Sequence, residues 1–175
     1  YSSLVDFLSG FDVCGVRDFD HGYDYVPCAS CMNELFSIQK PKPKHKVVLY
    51  EHISKPINSV LPAPRMDNDI KKVPSLKSHI DFLLSGELVV TSSFHGAYWA
   101  MLLNIPTLIL PTSTRFFGFK PDVVMWDGKK WDGWEAKIDE AMSLDYSGYL
   151  EECRDVNVNY HKKVIDEILG ETNDK

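Results

Sequence analysis

Residues 83–111 constrain this chain more tightly than any other stretch, because they read as strand, polar turn, helix, break and strand in unbroken succession. That succession is the repeating unit of a parallel α/β sheet. Leu88-Val89-Val90 is a short apolar run with adjacent valines, suited to a strand buried on both faces. Thr91, Ser92 and Ser93 follow where a helix would begin, and hydroxyl residues are favoured there because they accept hydrogen bonds from free N–H groups. Residues 94–103 are apolar nearly all round, which predicts a buried helix. Asn104 and Pro106 stop it, and residues 107–110 make the next strand. Hydroxyls, His95 and Gly96 at a helix N-terminus behind a buried strand form a natural anion site.

The rest of the chain extends the same alternation. Residues 3–10 read as the end of a helix, with Leu4, Phe7 and Leu8 on one face and Gly10 as its stop. Residues 12–18 read as a strand that delivers Arg17 to its carboxyl end, the side on which open α/β sheets bind ligands. An ordinary ion pair of Arg17 with Asp18 or Asp20 is the competing reading. After an irregular stretch, Ser30 is placed to cap a short helix through Asn33 to Ile38, and residues 40–46 form a basic, proline-interrupted linker. Residues 47–50 give the second strand, with His52 at its carboxyl end. Residues 57–73 read as a loop exposing Arg65, Asp67, Asn68 and Asp69. A helix from Ser75 as N-cap to Leu84 turns Leu76, Ile80, Leu83 and Leu84 inward and ends at Gly86.

Past Pro111 the chain offers Ser113, Thr114, Arg115 and Lys120 among aromatic residues, again directly after a strand. A further strand over residues 121–126, a turn at Asp127-Gly128 and a helix over residues 133–143 follow. A long helix over residues 149–169 carries Leu150, Cys153, Val164, Ile165 and Ile168 toward the core. About five strands alternating with helices predict a Rossmann-like, doubly wound, mainly parallel sheet with helices on both faces. The expected organisation is a single domain over residues 1–175, with 1–11 and 145–175 as helical arms. There is no Gly-x-Gly-x-x-Gly and no Walker loop, so the usual dinucleotide and P-loop readings fail.

Composition narrows the partners. The 25 acidic residues outnumber the 19 basic ones, which argues against nonspecific binding to nucleic acid or an anionic membrane surface. No run reaches the roughly 18 apolar residues of a membrane span, no signal peptide opens the chain, and a cytoplasmic location is expected. The start at Tyr1 without a methionine reads as a fragment. The cysteines are Cys14, Cys28, Cys31 and Cys153. Cys28-Ala29-Ser30-Cys31 is half of a zinc site, and His21 and His45 complete no finger spacing. A redox pair is a second reading, and reduced cysteines packing a loop the favoured one. No metal and no cofactor are assigned.

Four segments together resemble the polysaccharide pyruvyl transferase family: Val90-Thr91-Ser92-Ser93-Phe94-His95-Gly96-Ala97, Gly15-Val16-Arg17-Asp18, Pro111-Thr112-Ser113-Thr114-Arg115-Phe116, and the tail pattern Cys153-Arg154 … Asn157 … Tyr160. The resemblance covers about residues 10–160 and corresponds to the C-terminal half of a typical member. It implies one half of a GT-B-like pair of Rossmann-like domains. The implied activity moves a pyruvyl group from phosphoenolpyruvate onto sugar hydroxyls as a ketal, in surface polysaccharide synthesis. By resemblance His95 is the acid/base catalyst and Arg17 holds the donor anion. Thr91, Ser92, Ser93, Gly96, Ser113, Thr114 and Arg115 are then the substrate contacts. The residue two before the histidine, often arginine in the family, is Ser93 here. The implied partners are a phosphorylated donor and a sugar acceptor. A homo-oligomer is expected if a missing partner domain leaves an apolar face uncovered. The competing functions are a GT-B-type glycosyltransferase half that binds a nucleotide sugar and a non-catalytic carbohydrate-related module.

Overall fold

Parallel strands dominate the computed structural model, which describes residues 7–20, 22–58, 61–127 and 133–170. The main sheet contains β3 (His45–Glu51), β4 (Arg65–Asp67), β5 (Gly86–Thr91), β6 (Thr107–Ile109) and β7 (Val124–Met125). Its order is β4-β3-β5-β6-β7 and every pairing is parallel. The chain steps from β3 out to the edge strand β4, returns across β3 to β5, then moves outward through β6 to β7. The direction of winding therefore reverses between β3 and β5, and ligands of open α/β sheets bind at such a reversal, beyond the carboxyl ends of the strands. A separate two-stranded parallel sheet pairs β1 (Gly15–Val16) with β2 (Asp24–Tyr25).

Side-chain alternation along the central strands builds two cores. Val48, Tyr50 and Val89 pack with Ile80 and Leu83 of α1 (Leu76–Leu84), Met101 of α2 (Phe94–Leu102) and Leu150 of α4 (Tyr149–Gly170). Leu49, Leu88, Val90 and Leu108 point the other way and meet Ala141 and Ile138 of α3 (Trp134–Met142). Helices thus cover both faces, and the fold is Rossmann-like and doubly wound. Leu49, Val89, Ile80 and Leu83 are wholly buried, and each side chain of this kind stabilises the fold by about 1.5–3 kcal/mol. At the end of α2, Asn104 takes the left-handed conformation at φ 49°, which asparagine tolerates, and its Oδ1 accepts from Tyr146 N at 2.7 Å.

Several expectations are corrected. The stretch 57–73 is not all loop, because residues 65–67 form the edge strand β4. Only one of its sides is paired, so it needs no continuous apolar run, and Arg65 Nη1 reaches back to Glu51 Oε1 at 2.9 Å and Ile57 O at 2.8 Å. The strand expected over residues 12–18 contributes two residues to the small sheet, so Arg17 does not stand at the end of a main-sheet strand. Ser30 caps no α-helix: residues 29–32 and 34–37 are two 3-10 turns, and the second is capped by Asn33, whose Oδ1 accepts from Leu35 N at 3.0 Å. Gly86 opens β5 instead of ending α1, since a Cβ there would stand 2.7 Å from Val48.

The expected arm at the C-terminus is, in its first turns, part of the core: Leu150 and Cys153 are buried, whereas Ile165 is exposed. Residues 7 and 8 are helical, as the reading of 3–10 requires. Leu4, His21, Gly128, the segments 1–6 and 171–175, and the Ile168 side chain lie outside the described residues.

Candidate anion site at the carboxyl edge of the sheet

The three hydroxyls after β5 are engaged by the protein itself. Thr91 Oγ1 donates to Tyr50 O at 2.6 Å and accepts from Ser93 N at 3.0 Å, stitching β5 to β3 at the reversal. Ser92 Oγ donates to Lys55 O at 2.6 Å and accepts from His52 N at 3.0 Å. Ser93 is the N-cap of α2, accepting from Gly96 N at 3.3 Å, and it lies 3.4 Å from Asn68 Nδ2. All three are buried. Gly96 is required sterically, because a Cβ would sit 2.3 Å from Tyr50 Cδ1 and 2.6 Å from Thr91 Oγ1. His52 is likewise occupied, with its Nδ1 3.0 Å from Ser54 Oγ. These residues build the turn and press the helix N-terminus onto the sheet.

The cations behave differently. Arg17 and Arg115 arrive from segments nearly a hundred positions apart and both lie on the ring of Phe94, the first residue of α2, at 4.5 and 4.9 Å. Cation–π attraction accounts for each contact. It brings two guanidiniums to one ring, a concentration of positive charge that favours an anion nearby. Arg17 Nε is buried without a hydrogen bond; it makes the ion pair with Asp18 that the sequence offered as the competing reading, at 4.0 Å, too long for a hydrogen bond. Arg115 is exposed and makes no hydrogen bond or ion pair among the described residues.

The two segments are held together by the backbone. Phe19 N donates to Gly118 O at 2.9 Å, and a Cβ on Gly118 would meet Asp18 at 2.7 Å. Phe119 stacks on Phe94 with centroids 4.6 Å apart, fixing the ring that both arginines share. Ser113 and Thr114 open the 3-10 turn Thr114–Gly118, exposed beside Arg115, and the Ser113 hydroxyl makes no capping bond.

His95 is half-buried on the next position of α2. Its Nε2 lies 3.7 Å from Cys28 Sγ, and its ring packs against Trp99 with centroids 5.4 Å apart. Trp99 Nε1 donates to Ser30 Oγ at 3.1 Å, and Ser30 Oγ donates to Cys28 Sγ at 3.4 Å. The His95 hydrogen bond, helped by Ser30, holds the Cys28 thiol down at about 6 against the opposing effect of burial. Cys31 is wholly buried, and burial pushes its thiol up. The segment carrying both cysteines is clamped by α4: Asn157 Nδ2 donates to Pro27 O at 3.1 Å, and Arg154 Nε to Cys31 O at 2.9 Å. Gly15 lies so close to Tyr160 that a Cβ would approach its ring to 2.7 Å. The tail residues Cys153, Arg154, Asn157 and Tyr160 therefore position the segment that bears Arg17 and Cys28.

Two clefts open on this side of the sheet. One of about 280 Å³ is lined by Tyr50, Asn68, His79, His95 and Trp99. The other, of about 340 Å³, is lined by Lys55, Asn58, Ser92 and Thr112. His45 begins β3 at the opposite, amino end of the sheet, so it does not join Cys28 and Cys31. Among the described residues no three His, Cys, Asp or Glu side chains converge as metal ligands, and no helix is long and apolar enough to cross a membrane.

Of the residues named from the sequence, the fold gathers Arg17, Arg115 and His95 around Phe94. Reading from the sequence missed Phe94 as the shared platform and His95 as the partner of Cys28. An aromatic residue immediately before the histidine, with an arginine in each flanking loop, was the available signal for the first. The second had none, because 67 positions separate the two side chains. The fold is an open α/β domain in which two guanidiniums lie on Phe94, and a histidine-lined cleft opens beside them at the carboxyl edge of the sheet. Comparison of the chain with protein-family models, curated proteins and solved structures finds no match in any of the three.

Proposed function

We propose that this chain is the donor-binding half of a polysaccharide pyruvyl transferase-like enzyme, taking phosphoenolpyruvate as donor and a sugar hydroxyl as acceptor. The observation that carries the reading is the convergence of Arg17 and Arg115 on Phe94 beside His95, with Arg17 Nε making no hydrogen bond. Phosphoenolpyruvate carries a phosphate and a carboxylate on the same carbon. Two guanidinium forks suit that pair better than one lysine would.

In this reading the arginines hold the two anionic groups and His95 delivers a proton to the methylene carbon. One sugar hydroxyl adds to the neighbouring carbon and its proton replaces the one His95 has given up, so that a single proton reaches the new methyl group. A second hydroxyl then displaces phosphate and closes the ketal, its proton leaving with the phosphate. Ser113 and Thr114 supply the exposed hydroxyls beside the donor. Thr91, Ser92, Ser93 and Gly96, expected as contacts, act by shaping the helix N-terminus whose N–H groups face the phosphate.

Calorimetric titration with phosphoenolpyruvate tests the assignment. Saturable binding is expected, weakened about tenfold or more by Arg17→Ala and by Arg115→Ala, since a charge-assisted bond contributes about 1.5–3 kcal/mol. His95→Ala is expected to abolish ketal formation in the presence of an acceptor while changing donor affinity less. Binding of UDP- or GDP-sugars in place of phosphoenolpyruvate would overturn the donor assignment in favour of a glycosyltransferase half.

A further inference from the structure

We propose that Cys28 and Cys31 form a dithiol–disulfide pair, in which His95-bound Cys28 is the attacking sulfur and buried Cys31 the resolving one. Three observations carry this inference. The two cysteines bracket a single turn, with Cys31 N donating to Cys28 O at 3.3 Å. A turn closed in this way brings the flanking Cα atoms within roughly 7 Å, near the span a disulfide bridges. The two sulfurs are also unequal in access: Cys28 is partly exposed and Cys31 wholly buried, so an external reagent meets Cys28 first. Finally, Cys28 Sγ lies 3.7 Å from His95 Nε2 on one side and on the other accepts from Ser30 Oγ, which in turn accepts from Trp99 Nε1. That arrangement favours a thiolate, the form that attacks disulfides.

The exchange balances without a metal or an external electron carrier. The Cys28 thiolate attacks one sulfur of a small-molecule disulfide such as oxidised glutathione, forming a mixed disulfide and releasing one thiolate. Cys31 gives up its proton, attacks the Cys28 sulfur and expels the second thiol. The protein dithiol is oxidised by two electrons and the small disulfide reduced by two. The internal bond takes Cys28 Sγ away from His95, so the redox state of the pair reaches the pocket directly.

The groups facing this pair are few. From α2 they are His95, Tyr98, whose hydroxyl donates to Cys28 O at 2.9 Å, and Trp99. From α4 they are Cys153, Arg154 and Asn157, whose Nδ2 lies 3.4 Å from Cys31 Sγ. Arg154 is spent on backbone carbonyls, at Cys31 O and Asn33 O. His95 is therefore the group that sets the reactivity of Cys28.

The test needs no donor or acceptor, so its outcome is independent of the pyruvyl transfer reading. The full chain is incubated with oxidised glutathione and peptide-mapped by mass spectrometry. The expected product is a Cys28–Cys31 disulfide with no retained glutathione, and Cys31→Ser is expected to trap a glutathione adduct on Cys28. Cys31→Ala serves as a second version should a buried serine hydroxyl unsettle the turn. Alkylation of Cys28 by iodoacetamide at pH 6 is expected to be about tenfold faster than in His95→Gln, with the midpoint of its pH profile near the ordinary thiol value in the variant. A glutathione adduct that persists on wild-type Cys28 would overturn the proposal. So would a disulfide involving Cys153, an unreactive chain, or a Cys28 profile that His95→Gln leaves unmoved.

Discussion

The hydroxyl turn after β5 and the arginine cluster on Phe94 lie on the same edge of the sheet, yet they spend their polar groups in opposite ways. Thr91, Ser92 and Ser93 are buried and satisfied by Tyr50, Lys55, His52 and Gly96. Arg17 and Arg115 share an aromatic ring and leave hydrogen-bonding capacity unspent. The satisfied groups hold the fold, and the unsatisfied ones are those that the proposed donor would engage. A residue type favoured at anion sites is therefore no guide to its role until its partners are counted.

That contrast is sharpest at Gly96. Gly96→Ala forces a methyl group into Tyr50, and overpacking of this kind costs about 3 kcal/mol, seen as a lower urea midpoint at unchanged slope. A midpoint within the error of wild type would show that the helix N-terminus is free to shift and is not pressed on the sheet. The double variant Arg17→Ala/Arg115→Ala should do the reverse, removing phosphoenolpyruvate binding while stability changes by no more than about 0.5 kcal/mol, or rises as the repulsion is relieved. Ser93→Ala should cost about 1 kcal/mol through the lost cap of α2, with donor affinity altered only in proportion to fraying of that helix.

A further effect concerns pH. The folded Cys28 thiol is depressed, chiefly by His95, so the stability it contributes is fully present above the unfolded thiol value. It is lost as pH falls through about 6. Urea midpoints between pH 6 and 9 should therefore rise with pH more steeply in the wild type than in Cys28→Ser. Parallel curves would remove the thiolate from the account.

The parts of the fold that were legible in the sequence are those whose signals are local. The run from β5 through α2 to β6 is announced by adjacent valines, capping hydroxyls, an apolar helix and the Asn104-x-Pro106 stop, all within a few turns of chain. The edge strand β4 carries Arg65, Met66 and Asp67, a polar–apolar–polar triplet too short for its alternation to stand out, and it is a strand because β3 offers a free edge. The short strand before Arg17 was visible, but the sheet it belongs to was not, since pairing with β2 is a tertiary choice. In the site, residue types were readable and partnerships were not. His95 meets Cys28, and Arg17 meets Arg115, only after the chain has closed over long separations.

The clamp that α4 places on residues 15–33 sets the order in which the molecule becomes functional. Asn157, Arg154 and Lys163 reach back to Pro27, Cys31 and Asp24 over 130, 123 and 139 positions. Synthesis runs from the N- to the C-terminus, so within this stretch Arg17 and Cys28 are made well before the helix that fixes them. The strands of the central sheet are made between the two, and the segment that bears Arg17 and Cys28 is set in place only once α4 has followed.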